Sequence, residues 1–168
     1  EYGYRYFVVD KERDEEGKII SSTYIREMLA DGNIIKANKL LGYYYFVTGT
    51  VQHGNAIGHT KLYPTANLIP PAVKHLPKFG VYVTRVTVDG KTYGGLTNVG
   101  AKPTISGENP VGVETYLYNF EGDLYGKDMK VELLDFVRPE MKFESIDALK
   151  AQLDHDIKEC QRRYLEFA

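Results

Sequence analysis

From Tyr43 to Val137 the chain is a succession of short apolar and aromatic stretches broken by turn residues, which is the pattern of strands. Tyr43 to Val51 reads as a first strand, Gly54 to Thr60 as a loop, and Pro64 to Leu68 as a short extended piece. Phe79 to Val88 and Lys91 to Val99 flank Asp89-Gly90, a dipeptide that supplies the positive φ angles of a tight hairpin turn. Val113 to Phe120, the turn Glu121-Gly122-Asp123, and Met129 to Val137 complete the series. Short strands at this spacing, with no helices between them, predict an antiparallel barrel or sandwich.

The two ends differ. Tyr4, Tyr6 and Val8 alternate with Arg5, Phe7 and Val9, so Tyr2 to Val9 reads as a strand, followed by a charged run, Lys11 to Gly17, that reads as a solvated loop. Ser21 and Ser22 are candidate N-caps for a helix carrying Ile25, Met28 and Leu29 and closed by Gly32. Ile35 to Leu41, ended by Gly42, predicts a second short helix. At the other end Ser145 can cap a helix whose Ile146, Leu149, Leu153, Ile157, Cys160 and Tyr164 fall on one stripe, so this helix should lie against the barrel. Cys160 within that stripe reads as a small buried hydrophobe.

Composition removes several classes of function. The 168 residues suffice for one domain with a core that needs no disulfide staples. A single cysteine excludes an intramolecular disulfide and fits a reducing, cytoplasmic setting. With 21 basic and 23 acidic residues, the net charge of −2 gives no electrostatic reason to bind nucleic acid or an anionic membrane. No apolar run approaches the roughly 20 residues that a membrane-spanning helix needs.

Candidate chemistry is concentrated in three places. Gly54-Asn-Ala-Ile-Gly58-His-Thr60 is a glycine loop without the Walker A spacing, and is either a phosphate loop or a turn. Thr65 and Asn67 in Pro64-Thr-Ala-Asn-Leu68 are two residues apart, so in an extended segment both project to one side. Two neutral oxygen ligands there suit a hard cation shared with nucleotide phosphates, or they cap a Pro-Thr turn. Glu114 shares an aromatic strand face with Tyr116, Tyr118 and Phe120, and is either an exposed outer residue or one kept for a purpose. The four histidines have no zinc-site spacing, and no serine-hydrolase elbow is present.

Taken in order, Gly54…Gly58…Pro64-Thr-Ala-Asn-Leu68, Gly80-Val-Tyr82, Asn98-Val-Gly100, Pro103-Thr104, Glu114-Thr115, Leu124-Tyr-Gly126 and Val137-Arg-Pro-Glu140 with Phe143 resemble the riboflavin kinase family. The resemblance runs from about Leu41 to the C-terminus. In bacteria this kinase is commonly the C-terminal module of a bifunctional FAD synthetase, and Ile20-Ser-Ser-Thr-Tyr-Ile-Arg26 resembles the closing motif of the adenylyltransferase module that precedes it. The division implied is 1–38 as the tail of that module with linker helices, and 39–168 as the kinase domain.

The resemblance implies a six-stranded antiparallel Greek-key barrel with a C-terminal helix and short N-terminal helices, and ATP-dependent phosphorylation of the riboflavin 5′-hydroxyl to FMN. It implies Glu114 as general base and Thr65 and Asn67 as holders of Mg²⁺ and the phosphates. Gly54, Gly58, Thr60, Asn98, Gly100 and Tyr125 would meet ATP, and Gly80, Val81, Tyr82, Arg138 and Phe143 would meet the flavin. FAD synthesis is expected only in a longer parent that carries the adenylyltransferase module. Among the departures from the pattern, three matter most: His59 for an arginine, Leu62 for a glycine, and Tyr24 for an arginine. The family's usual Gly-Arg-Thr-Leu/Ile-Gly-Phe-Pro-Thr-Ala-Asn stands here as Gly58-His-Thr-Lys-Leu-Tyr-Pro-Thr-Ala-Asn67, and Tyr24 replaces an arginine of the closing motif. The rival readings are the same barrel holding flavin or nucleotide without turnover, and a single-strand binder built on the tyrosine-rich strands; the acidic balance argues against the second.

Overall fold

A computed structural model describes residues 3–52, 63–101 and 111–167. Two short helices lead in. In α1 (Ser22–Asp31) the Ser21 hydroxyl accepts the Tyr24 N–H, and in α2 (Ile34–Leu41) the Asn33 side chain accepts that of Lys36. Gly32 and Gly42 close them as left-handed C-caps. Six strands follow: β1 (Phe46–Thr50), β2 (Ala66–Leu68), β3 (Gly80–Val88), β4 (Lys91–Ala101), β5 (Val111–Leu117) and β6 (Asp128–Pro139). Helix α3 (Ile146–Tyr164) ends the fold, its first turn capped by Ser145, whose hydroxyl accepts the Ala148 N–H.

All the strand pairings are antiparallel, in the order β1-β6-β3-β4-β5-β2. Strands β3, β4 and β5 follow one another and β6 returns beside β3, which is Greek-key connectivity. Where the order ends, the chain just beyond β1 meets β2: Gln52 bridges Asn67, its N–H donating to the Asn67 carbonyl at 2.9 Å. The sheet is thereby a nearly closed barrel, which leaves little exposed edge.

Alternation along the strands decides what faces inward. Val47, Leu68, Tyr82, Val86, Val99, Val113, Met129, Val131 and Leu133 fill the interior. Thr84, Thr97 and Thr115 face inward too, fully buried, with their hydroxyls linked Thr84–Thr97–Thr115 at 2.9 Å each. Each hydroxyl has a partner, so these polar atoms lie in an apolar interior without an unpaired-group cost. Leu29, Ile34 and Ala37 of the N-terminal helices belong to this same cluster. The Asn38 amide fastens α2 to the barrel by donating to the Leu133 carbonyl and accepting the Tyr45 N–H. On the outer face Val81, Val83, Leu96 and Leu134 form a second cluster with Tyr118 and with Cys160 of α3.

Five expectations from sequence need correction. Residues 3–9 form no strand, and Tyr4, Tyr6, Phe7, Val8 and Val9 are exposed; alternation alone makes no strand where no neighbour offers hydrogen bonds. The charged run does more than solvate a loop. Asp14 accepts the Glu16 and Lys18 N–H groups and the Tyr24 hydroxyl, while Glu15 and Glu16 pair with Lys39 and Lys36 of α2. Strand β5 stops at Leu117, and Asn119 turns with φ +55°, so Phe120 swings away from Glu114 to pack on Tyr93 in the inner cluster. Ile146, placed on the buried stripe of the last helix, is 57% exposed at its start. The strand expected from Tyr43 begins only at Phe46.

Candidate functional site

The antiparallel register lines up one residue from each of five adjacent strands. Asn67 of β2 is opposite Glu114 of β5, Glu114 is opposite Asn98 of β4, Asn98 opposite Val81 of β3, and Val81 opposite Arg138 of β6. Opposed residues share a face, so this row crosses the outer surface of the barrel on the side that α3 covers. The neighbouring row, which includes Thr97 and Thr115, faces inward instead.

Between the row and α3 lies a cavity of about 260 Å³. One end is polar, with Thr65, Glu114 and Asn98 in its wall; the other is bounded by Arg138 and Phe143. Leu149, Leu153 and Ile157 of α3 supply the apolar roof. The Thr65 hydroxyl donates to Glu114 Oε1 at 2.7 Å, which fixes the carboxylate. Asn67 follows two residues on, buried beside Glu114. Arg138 is held from the far side: its Nε and Nη2 reach Asp156 Oδ2 at 2.9 and 2.6 Å, and Gln152 donates to Asp156 Oδ1 at 2.8 Å. Asp156 is 1% exposed, so its charge is matched by the guanidinium and by hydrogen bonds, as burial demands.

Two glycines make the wall possible. A Cβ on Gly80, whose φ is +150°, would lie 2.2 Å from the Arg138 carbonyl, so β6 approaches β3 there only because the side chain is absent. A Cβ on Gly100 would lie 1.9 Å from Glu140 Oε1, which places the Glu140 carboxylate flat against strand β4. Glu140 also lines the cavity, and so do Tyr63 and Tyr116, whose rings meet at 5.4 Å.

Of the candidates read from sequence, Thr65, Asn98, Glu114, Val81, Arg138 and Phe143 line this one cavity. Tyr82 does not: its ring is turned into the barrel against Phe136, with the hydroxyl donating to the Lys78 carbonyl. Tyr125 is half exposed on the turn after β5 and is not among the residues lining the cavity. Gly54, Gly58 and Thr60 lie outside the described residues, as does Pro103-Thr104. Sequence reasoning left Tyr63, Tyr116 and Glu140 off the site. Glu140 had a signal, as the end of Arg-Pro-Glu; Tyr63 and Tyr116 are brought there by register and by α3. Neutral and carboxylate oxygens at one end of the cavity fit a hard cation. Among the described residues no group of three His, Cys, Asp or Glu side chains gathers to hold a metal alone.

Comparison with known proteins agrees with this architecture. The family model for riboflavin kinase matches residues 41–164. The bifunctional riboflavin kinase/FMN adenylyltransferases of Listeria monocytogenes and Escherichia coli are 38% and 40% identical over 149 and 143 residues, covering 89% and 84% of this chain. Those stretches are 47% and 45% of the two relatives, so the chain spans about half the length of the curated proteins it matches. A crystal structure described as a macrolide-efflux protein from Streptococcus pneumoniae superposes with a TM-score of 0.81 at 40% identity, covering 91% of this chain and 50% of that one. Riboflavin kinase from Trypanosoma brucei shares the fold at 22% identity, with a TM-score of 0.52 over 70% of this chain and 75% of its own. No helix among the described residues is long and apolar enough to cross a membrane. With a family match over most of its length and relatives of the same kind at about two-fifths identity, the chain belongs to the riboflavin kinase family.

Proposed function

We propose that this chain transfers the γ-phosphoryl group of ATP to the 5′-hydroxyl of riboflavin, giving FMN, as the kinase half of a longer cytoplasmic protein. In that reading residues 1–38 are the tail of an adenylyltransferase module and 39–168 the kinase. The observation that carries it is the Thr65–Glu114 hydrogen bond at one end of a slot roofed by apolar residues of α3. In this reading the flavin ring would lie between Val81 and the α3 roof, with its polyol chain directed towards Glu114.

Phosphoryl transfer is mainly a matter of positioning and charge neutralisation, with one group to take the hydroxyl proton. Glu114 is that group. Its Thr65-bound oxygen sets the rotamer and the other oxygen accepts the proton as the hydroxyl attacks. Thr65 and Asn67 would hold Mg²⁺, which neutralises phosphate charge when bound. Arg138, Phe143 and the backbone around Gly80 to Tyr82 border the flavin. Gly54, Gly58, Thr60, Asn98, Gly100 and Tyr125 are proposed to meet ATP, with Gly100 acting by seating Glu140.

The test is to incubate the chain with riboflavin, ATP and MgCl₂ and to separate the flavins by chromatography. FMN formation that depends on both ATP and Mg²⁺ supports the reading. Tight flavin binding with no FMN would instead favour a non-catalytic barrel.

A further inference from the structure

Helix α3 is fastened on both flanks. Leu149, Leu153, Ile157 and Cys160 face the barrel, and the two aspartates beside that stripe, Asp154 and Asp156, are two residues apart. Two residues of α-helix turn through about 200°, so the pair points to opposite sides of the helix. Asp156 reaches Arg138 of β6, while Asp154 accepts the hydroxyl of Tyr63. Tyr63 is two residues before Thr65, and its ring packs on Tyr116 of β5. The carboxylate beside it pushes the Tyr63 hydroxyl's pKa up.

We propose that Tyr63 and Asp154 are a positioning pair, a tie from the helix that roofs the cavity to the segment that carries Thr65 and Asn67. The proposal rests on the kinase reading above for its effect on turnover. The family motif carries phenylalanine where this chain has Tyr63, so the hydroxyl is an addition of this chain. Phenylalanine keeps the ring on Tyr116 but offers Asp154 nothing. Besides the tie, Pro64 to Leu68 is held by the short pairing of β2 with β5, the bridge to Gln52 and the Thr65–Glu114 hydrogen bond. Thr65 lies just outside that pairing, at the end the tie steadies. Because α3 also holds Arg138, the pair links the two ends of the cavity through one rigid element.

The test compares the chain with Tyr63→Phe, Asp154→Ala and the double variant. The ordinary net worth of one intramolecular hydrogen bond sets the expected size. Each single change should raise the KM for Mg-ATP about three- to tenfold, with kcat moving less, and the double variant should be no worse than the worse single. Amide hydrogen exchange across residues 64–68, measured without substrates, should speed up in Tyr63→Phe while the melting temperature holds. Unchanged exchange across 64–68 in Tyr63→Phe overturns the proposal whatever the kinetics, and so do additive effects in the double variant. If the unaltered chain forms no FMN, the kinase reading fails by itself, and the exchange measurement still decides the pair.

Discussion

Glu114 is the residue on which the proposed chemistry turns, and its surroundings let its role be separated from folding. Its side chain sits on the outer face of β5, away from the Thr84–Thr97–Thr115 chain inside. Glu114→Gln keeps the shape and an acceptor for the Thr65 hydroxyl but cannot take a proton. FMN formation should fall by about 10²–10⁴, with riboflavin binding, followed by flavin fluorescence, nearly unchanged. Gly100 makes a contrasting case. Gly100→Ala drives a methyl group onto the end of the flexible Glu140 side chain, which can move aside, so the barrel should hold while the cavity changes shape. The expected result is a raised KM for Mg-ATP with a melting temperature within a few degrees of the original, measured by turnover and by thermal melts. Much of this was legible at the level of residue types. Glu114, Thr65 and Arg138 could be named from their motifs. The side that Tyr82 takes has no signal in its motif; its ring faces into the barrel against Phe136.

At the scale of elements, periodicity did well where a partner was certain and failed where none existed. The Asp89-Gly90 hairpin has Asp89 at φ +49° and Gly90 at φ +71°, and pairs from Val88↔Lys91 to Gly80↔Val99 as its turn requires. The alternation in residues 4–9 was as regular, but no neighbouring strand meets it. The stripe on α3 was read correctly as an apolar face, yet half of it roofs a cavity and does not pack on the sheet. Nothing in helical spacing tells a wall from a contact. Two outcomes test the docking of α3. Asp156→Ala leaves Arg138 without its buried counter-charge and should cost roughly 3–5 kcal/mol in urea unfolding. Burial pushes the Cys160 thiol up to about 12, so a thiol reagent at neutral pH should leave the native chain unlabelled and modify it fully in denaturant.

For the molecule as a whole, the cross-strand row is what a linear reading could not supply. Asn67, Glu114, Asn98, Val81 and Arg138 lie in separate motifs along the chain, and only the register of four pairings makes them neighbours. Hydrophobic alternation fixes which face a residue takes, but not which residue of the next strand is opposite. The same scale bears on the second activity of the relatives. No two histidines in this chain have the His-x-x-His spacing of an adenylyltransferase site, and the segment resembling that module's end has Tyr24, bonded to Asp14, in place of arginine. The isolated chain should therefore convert riboflavin to FMN and stop, with no FAD detected by chromatography after long incubation with FMN, ATP and Mg²⁺.

The ring of strands is joined between Gln52 and Asn67, and Asn67 is also the neighbour of Glu114. Among the described residues one bridge makes this joint, and a cylinder opens at such a joint at less cost than anywhere its long pairings run. The clasp of the barrel and the proposed reaction centre are thus one place, and warming would slacken the clasp while the rest of the wall stays laced. Catalysis in such a molecule has its own, lower thermal ceiling, reached while the protein still looks folded to a spectroscopist.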